Sequence, residues 1–141
     1  MGKQVKGRKR HLAVDTLGLV WGLEVSAASV QDRNGALYLL PQLEAGSQRL
    51  QQLYADGAYA GFLEEVVSYF YGWTLQIVKK LADQKGFVVL PMRWIVERTL
   101  AWISKCRRLV KDYEFEPKSS EAMILWAMIG RMTRWLTKPD T

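Results

Sequence analysis

Two β-prone runs open the legible part of the chain, His11–Val14 and Leu19–Val25. Between them Asp15-Thr16-Leu17-Gly18 sets Asp and Gly where a four-residue turn wants them, so a hairpin is expected. The pattern then changes. Asp32-Arg33-Asn34-Gly35 reads as a helix start, and Ala36 to Leu40 carry its apolar face across Pro41 towards Leu43, with Gly46-Ser47 as the end. Arg49–Ala55 returns to a strand that stops on the small-residue loop Asp56-Gly57-Ala58-Tyr59-Ala60-Gly61. A helix from Phe62 to Tyr71 follows and Gly72 stops it; Trp73–Val78 is a further strand ending in Lys79-Lys80.

The second half is built around Arg93–Trp102 and the basic run Lys105-Cys106-Arg107-Arg108. The buried-looking strand Gly86–Leu90 leads into it, and Pro91 closes that strand and opens a helix where a missing N–H costs nothing. At 3.6 residues per turn, Ile95, Val96, Thr99, Leu100, Trp102, Ile103, Cys106 and Val110 fill one broad arc. Arg93, Glu97, Ala101, Ser104, Lys105 and Arg108 lie opposite. After the connector Asp112–Pro117, Ser119-Ser120-Glu121 starts a last helix with Met123, Ile124, Trp126, Ala127, Met128, Ile129 and Trp135 as apolar positions, for core or interface. The order hairpin, helix, strand, helix, strand, helix gives an α/β class, a mixed sheet with helices packed on it.

At 141 residues with 49% hydrophobic positions the chain can bury a core of its own, and residues 1–141 are taken as a single domain. The net charge of +6 changes the picture by pointing to a polyanionic partner. The cations cluster: Lys3, Lys6, Arg8, Lys9 and Arg10 at the front; Arg98, Lys105, Arg107, Arg108 and Lys111 in the middle; Arg131 and Arg134 near the end. No apolar run approaches the roughly 20 residues of a spanning helix, and no apolar signal core follows the basic start, so a soluble, cytoplasmic protein is expected. Cys106 is the single cysteine, which excludes a disulfide within the chain and a cysteine-rich zinc site.

Three carboxylates invite two readings each. Glu97 stands alone among cations: it is either the i, i+4 ion-pair partner of Arg93 or a group that holds a metal near a polyanion. Asp56 lies where an open sheet binds ligands, outside the carboxyl end of a strand, and equally where an Asp-Gly turn belongs. Asp15 is either a metal carboxylate or a turn-initiating residue, and the turn role accounts for it fully. His11, the single histidine, reads as a partly buried strand residue, since no Ser or Cys motif supplies it with a nucleophile.

Taken together, Lys6-Gly7-Arg8-Lys9-Arg10-His11-Leu12-Ala13-Val14-Asp15-Thr16-Leu17-Gly18, then Ala55–Gly61, then Arg93–Thr99 with Arg107-Arg108-Leu109 and Lys111–Glu114, resemble the C-terminal catalytic part of a bacterial DDE transposase of the insertion-sequence-five type. The likeness covers nearly the whole chain. It implies a ribonuclease-H-like fold and DNA strand cleavage and transfer, with magnesium, or manganese in its place, held by three carboxylates. The second of these falls on Asp56, the third on Glu97, and the signature Arg on Arg93. Leu90 stands where a Tyr precedes that Arg, and Ser104 where a Lys follows the Glu, with Lys105 next door. The first catalytic Asp and its strand have no counterpart, so the resemblance implies an N-terminally truncated core, weak or inactive alone.

The partners implied are DNA, as transposon ends and target, and an upstream transposase fragment or further copies of the chain. Arg8, Lys9, Arg10, Arg98, Lys105, Arg107 and Arg108 are the candidate phosphate contacts. The alternative is a non-catalytic DNA-binding remnant that uses the same cations.

Overall fold

The structure, a computed structural model, describes residues 7–79 and 92–137. The expected strand Gly86–Leu90, the helix-opening Pro91, and Lys3, Lys6 and Lys80 lie outside the described residues.

The hairpin forms as expected. Strand β1 (Arg8–Val14) pairs antiparallel with β2 (Val20–Ala27), Leu12 opposite Leu23, with an irregularity at Ala13/Val14. Asp15 organises the turn: its Oδ1 accepts from the Leu17 and Leu19 N–H groups, each at 2.9 Å, and its Oδ2 from the Trp21 indole at 3.1 Å. That carboxylate is therefore spent on backbone, the role its turn position predicts. The outer edge of β2 is closed by side chains instead of a third strand. Gln42 accepts from the Leu23 N–H and donates to the Leu23 carbonyl, both at 3.1 Å, and Glu121 accepts from the Val25 N–H at 3.0 Å. A sheet edge covered in this way no longer offers a row of free backbone groups to another chain.

The helix expected over 32–46 is two short helices, α1 (Asp32–Leu37) and α2 (Leu40–Gly46), the break falling just before Pro41. Gly35 is obligatory for packing: a Cβ there would stand 2.3 Å from the His11 ring. His11 is buried as read from the sequence, with Nε2 2.8 Å from the Ser26 hydroxyl, and burial lowers its pKa. Strand β3 (Gln52–Asp56) begins later than expected and pairs parallel with β4 (Thr74–Val78); α3 (Phe62–Tyr71) connects them. Leu63 and Val67 of α3 join Ala36, Leu40, Leu43 and Trp73 in one of the two hydrophobic cores.

Helix α4 (Arg93–Ser104) is shorter than its apolar arc suggests. The chain turns at Cys106 into a single 3-10 turn, Arg107–Leu109, so only Ile95, Thr99 and Ile103, one turn apart, are fully buried. Val110 and Leu100 are exposed, a correction to the wheel. Helix α5 (Pro117–Leu136) starts before Ser119, with Pro117 in its first turn, where the absent N–H is not missed. Its Ile124 and Met128 complete the other core with Leu23, Val25, Ile103 and Leu109. Trp126 and Ile129, read as core or interface positions, are 77% and 61% exposed.

The α/β class holds, and both antiparallel and parallel pairing occur. Among the described residues the two strand pairs are not joined into one mixed sheet: β1 pairs with β2 alone and β3 with β4 alone. Helices link them instead. α4 packs against both β1 and β3, and α1 against both β1 and the turn that follows β3.

Candidate active site and nucleic-acid surface

Asp56 is the last residue of β3 and lies beside Val78, the last of β4, so it stands at the carboxyl end of a parallel pair. Its Oδ1 accepts from the Ala58 N–H at 2.9 Å and caps the 3-10 turn Gly57–Tyr59, which is the Asp-Gly turn reading realised. Gly61 then takes φ +93°, open to glycine but strained for other residues, and the Glu64 carboxylate accepts from its N–H at 3.1 Å to start α3. The second oxygen of Asp56 has no hydrogen-bond partner among the described residues, and the side chain is exposed.

A neighbouring acid was missed in the sequence. Burial, then the charges of Asp32 and Asp56, push the Tyr59 hydroxyl pKa up, so both carboxylates lie near enough to act on that one phenol. Asp32 gave no signal beyond that of a helix-starting residue, because only the packing of α1 on the turn after β3 brings it there. Lys9 balances it, with Nζ 3.0 Å from Asp32 Oδ1 and donating also to the Val30 carbonyl at 2.8 Å.

Glu97 sits on the exposed face of α4 and pairs with Arg93 at 2.9 Å, the ion-pair reading. Both partners are more than half exposed, so the pair contributes only a few tenths of a kcal/mol, about 0.3–0.5. Its helix packs against β3, the strand that carries Asp56. Among the described residues no group of three or more His, Cys, Asp or Glu side chains is gathered as a metal site. What Asp56 and Glu97 offer is two accessible hard oxygen donors, a type that suits magnesium.

Most of the nominated cations have internal work. Arg8 reaches across to Asp112 at 3.2 Å and donates to the Glu114 and Phe115 carbonyls, tying the start of β1 to the segment before α5. Arg10 donates to the Leu109 carbonyl at 3.0 Å, and Arg98 to that of Leu17 at 2.9 Å. Arg108 chelates one Glu114 oxygen at 2.7 and 3.0 Å. Lys105 and Arg107 are exposed, with no ion pair among the described residues. Arg8, Arg10, Lys111 and Asp112 also line a shallow groove beside Leu100 and Val110.

A parallel strand pair ending in an exposed Asp, a cationic helix with one Glu laid on it, and a net charge of +6 agree with the sequence comparison. The family model of the transposase DDE domain matches residues 1–129. The chain belongs to that family. No curated protein matches it, and no solved structure does. Membership in the transposase DDE family gives the chain a role in DNA transposition and makes DNA its partner. Among the described residues of this DDE domain, no helix is long and apolar enough to cross a membrane.

Proposed function

We propose that the chain is a catalytic core of an insertion-sequence-five-type DDE transposase, a single ribonuclease-H-like unit over residues 1–141 that cleaves and joins DNA strands with magnesium or manganese. The observation that carries this reading is the packing of α4 on β3, because it sets the helix bearing Glu97 against the strand that ends in Asp56. Asp56 and Glu97 would hold the cation through their free oxygens. When bound, it would polarise the attacking hydroxyl or water and offset charge on the leaving oxygen.

Arg93 has two roles in this reading. It holds the Glu97 carboxylate in place through its Nε, and its remaining guanidinium donors, with no partner among the described residues, would take a non-bridging phosphate oxygen. Lys105 and Arg107, exposed and without an ion pair among the described residues, add phosphate contacts without loss of internal bonds. Arg8, Lys9, Arg10, Arg98 and Arg108 contribute through the field they set up near the surface.

With two catalytic carboxylates identified among the 141 residues, the proposed activity of the isolated chain is weak or nil. Nicking and strand-transfer assays on the purified chain, with magnesium and with manganese, test it. Metal-dependent cleavage lost in both Asp56→Ala and Glu97→Ala establishes the pair as catalytic. Cleavage that survives both substitutions refutes the site. Salt-sensitive DNA binding with no cleavage in either metal, even when an upstream transposase fragment is supplied, favours the non-catalytic remnant.

A further inference from the structure

Where α4 meets α5, aromatic and cationic side chains alternate across both helices. The Arg98 guanidinium lies over the Trp94 and Trp102 rings, 4.6 and 4.7 Å from their centroids. From α5, Arg131 lies 3.3 Å from the Trp102 centroid and 5.4 Å from that of Trp135, and the two indoles meet edge to face at 5.9 Å. Each guanidinium gains from the ring faces. The same arrangement crowds like charges: burial, then Arg98 and Arg134, disfavour the charged form of Arg131.

Nothing nearby offsets them. Among the described residues Arg98, Arg131 and Arg134 make no ion pair, and the Nε–H groups of Arg98 and Arg131 are buried without an acceptor. Covering Trp102 would need only an aliphatic side chain, whereas crowded guanidiniums without a counter-charge among the described residues are the arrangement that an anion completes. The flanking rings are accessible, Trp94 at 47% and Trp135 at 39% exposure. Rings beside guanidiniums suit a ligand that brings phosphates and unpaired planar bases together, which a duplex does not offer.

We propose that the ladder Trp94–Arg98–Trp102–Arg131–Trp135 binds single-stranded DNA, with phosphodiester oxygens on the arginines and a base on an outer tryptophan. This rests on the reading that the chain's partner is DNA, but not on any metal site. It sets the ladder apart from Lys105 and Arg107, which are free cations without aromatic neighbours at stacking distance.

The test is fluorescence anisotropy in EDTA with a labelled oligothymidylate of about 15 nucleotides and a duplex of the same length. Expected are tighter binding of the single strand and quenching of tryptophan emission. Arg131→Gln and Trp135→Ala should each weaken single-strand binding on the order of tenfold, and Arg131→Gln should lower the salt slope by about one. Arg134→Gln, an exposed change that leaves packing intact, should weaken binding severalfold and keeps the test valid if Arg131→Gln misfolds. Unchanged affinity in properly folded variants, with wild-type binding intact, overturns the ladder and leaves DNA as partner. Duplex bound as tightly as single strand, without quenching, also overturns it. A wild-type chain that binds neither DNA overturns the ladder and the DNA reading together.

Discussion

The Thr99 hydroxyl, wholly buried in α4, donates to the Gly18 carbonyl at 2.7 Å, fastening the hairpin turn to the helix that carries Glu97. The Ile95 carbonyl, 3.1 Å from the same Oγ1, shares that single proton, and Arg98 grips the adjacent Leu17 carbonyl, so one helical turn holds two successive turn carbonyls. Gly18 permits this approach. It takes φ +82°, and a Cβ there would fall 2.8 Å from Thr99 Oγ1. Gly18→Ala is therefore expected to cost at least about 1–2 kcal/mol from the left-handed backbone alone, with the clash added. Thr99→Val, which keeps the shape and orphans the carbonyl, should cost about 1–3 kcal/mol. Urea denaturation measures both; a loss below about 0.5 kcal/mol in each would contradict this account of the contact.

Glu121 supports the other side of the hairpin. It is buried, accepts from the Val25 N–H and takes a 2.8 Å bond from Lys118, whose pKa that bond raises. Glu121→Ala should cost about 1.5–3 kcal/mol and leave a free backbone donor on the β2 edge, so that aggregation on heating increases. Glu121→Gln retains the acceptor and should lose much less. Melting followed together with light scattering separates the two variants.

Gly35→Ala places a methyl inside the His11 ring and should destabilise by about 1–3 kcal/mol, the usual range for overpacking. The double change with His11→Ala should recover part of that loss. Equal losses in the single and double variants would mean that the ring is not what confines Gly35.

Two pH windows follow from the shifted groups. The pKa of His11 is lowered in the fold, chiefly by burial, so the unfolded chain binds the proton more readily and stability should fall as pH drops through about 6.5. His11→Gln should flatten that slope. Asp112 responds lower. Burial alone would raise its pKa, but the Glu114 N–H and the Arg8 guanidinium outweigh it and hold the pKa down. Its contribution is present above about pH 4 and is lost as pH falls further, a step that Arg8→Gln should shrink but not abolish, because the Glu114 N–H remains.

Glu97→Ala should leave stability within about 0.5 kcal/mol, because its one partner is the exposed Arg93. Asp56→Asn, which keeps an oxygen for the Ala58 N–H, should also be nearly neutral. Any loss of DNA processing in these two variants would then report on chemistry rather than folding. A large drop in melting temperature for either would remove that inference.

The local elements were legible because their signals are local. Asp and Gly at the two ends of a four-residue stretch made the hairpin turn, and Gly61 and Gly72 bracketed α3 at the expected residues. The separated motifs at Lys6–Gly18, Ala55–Gly61 and Arg93–Thr99 carried the transposase resemblance, and the family match agrees. Helix wheels did worse. Val110 lies past the early end of α4, and apolar residues on α4 and α5 outnumber the positions that the cores cover, so Leu100, Trp126 and Ile129 stay exposed in the single chain.

By itself, the sequence determined which segments are helix or strand, that the surface is cationic, and which acids merit suspicion, since periodicity, turn chemistry and charge are properties of neighbours along the chain. Tertiary structure alone decided which cations are already bound, that Asp32 shares Tyr59 with Asp56, and that Arg98 and Arg131 stack on one tryptophan. Each of these depends on residues brought together from distant segments. Coulomb and hydrogen-bond energies fall with distance in space, and a one-dimensional pattern does not carry that distance.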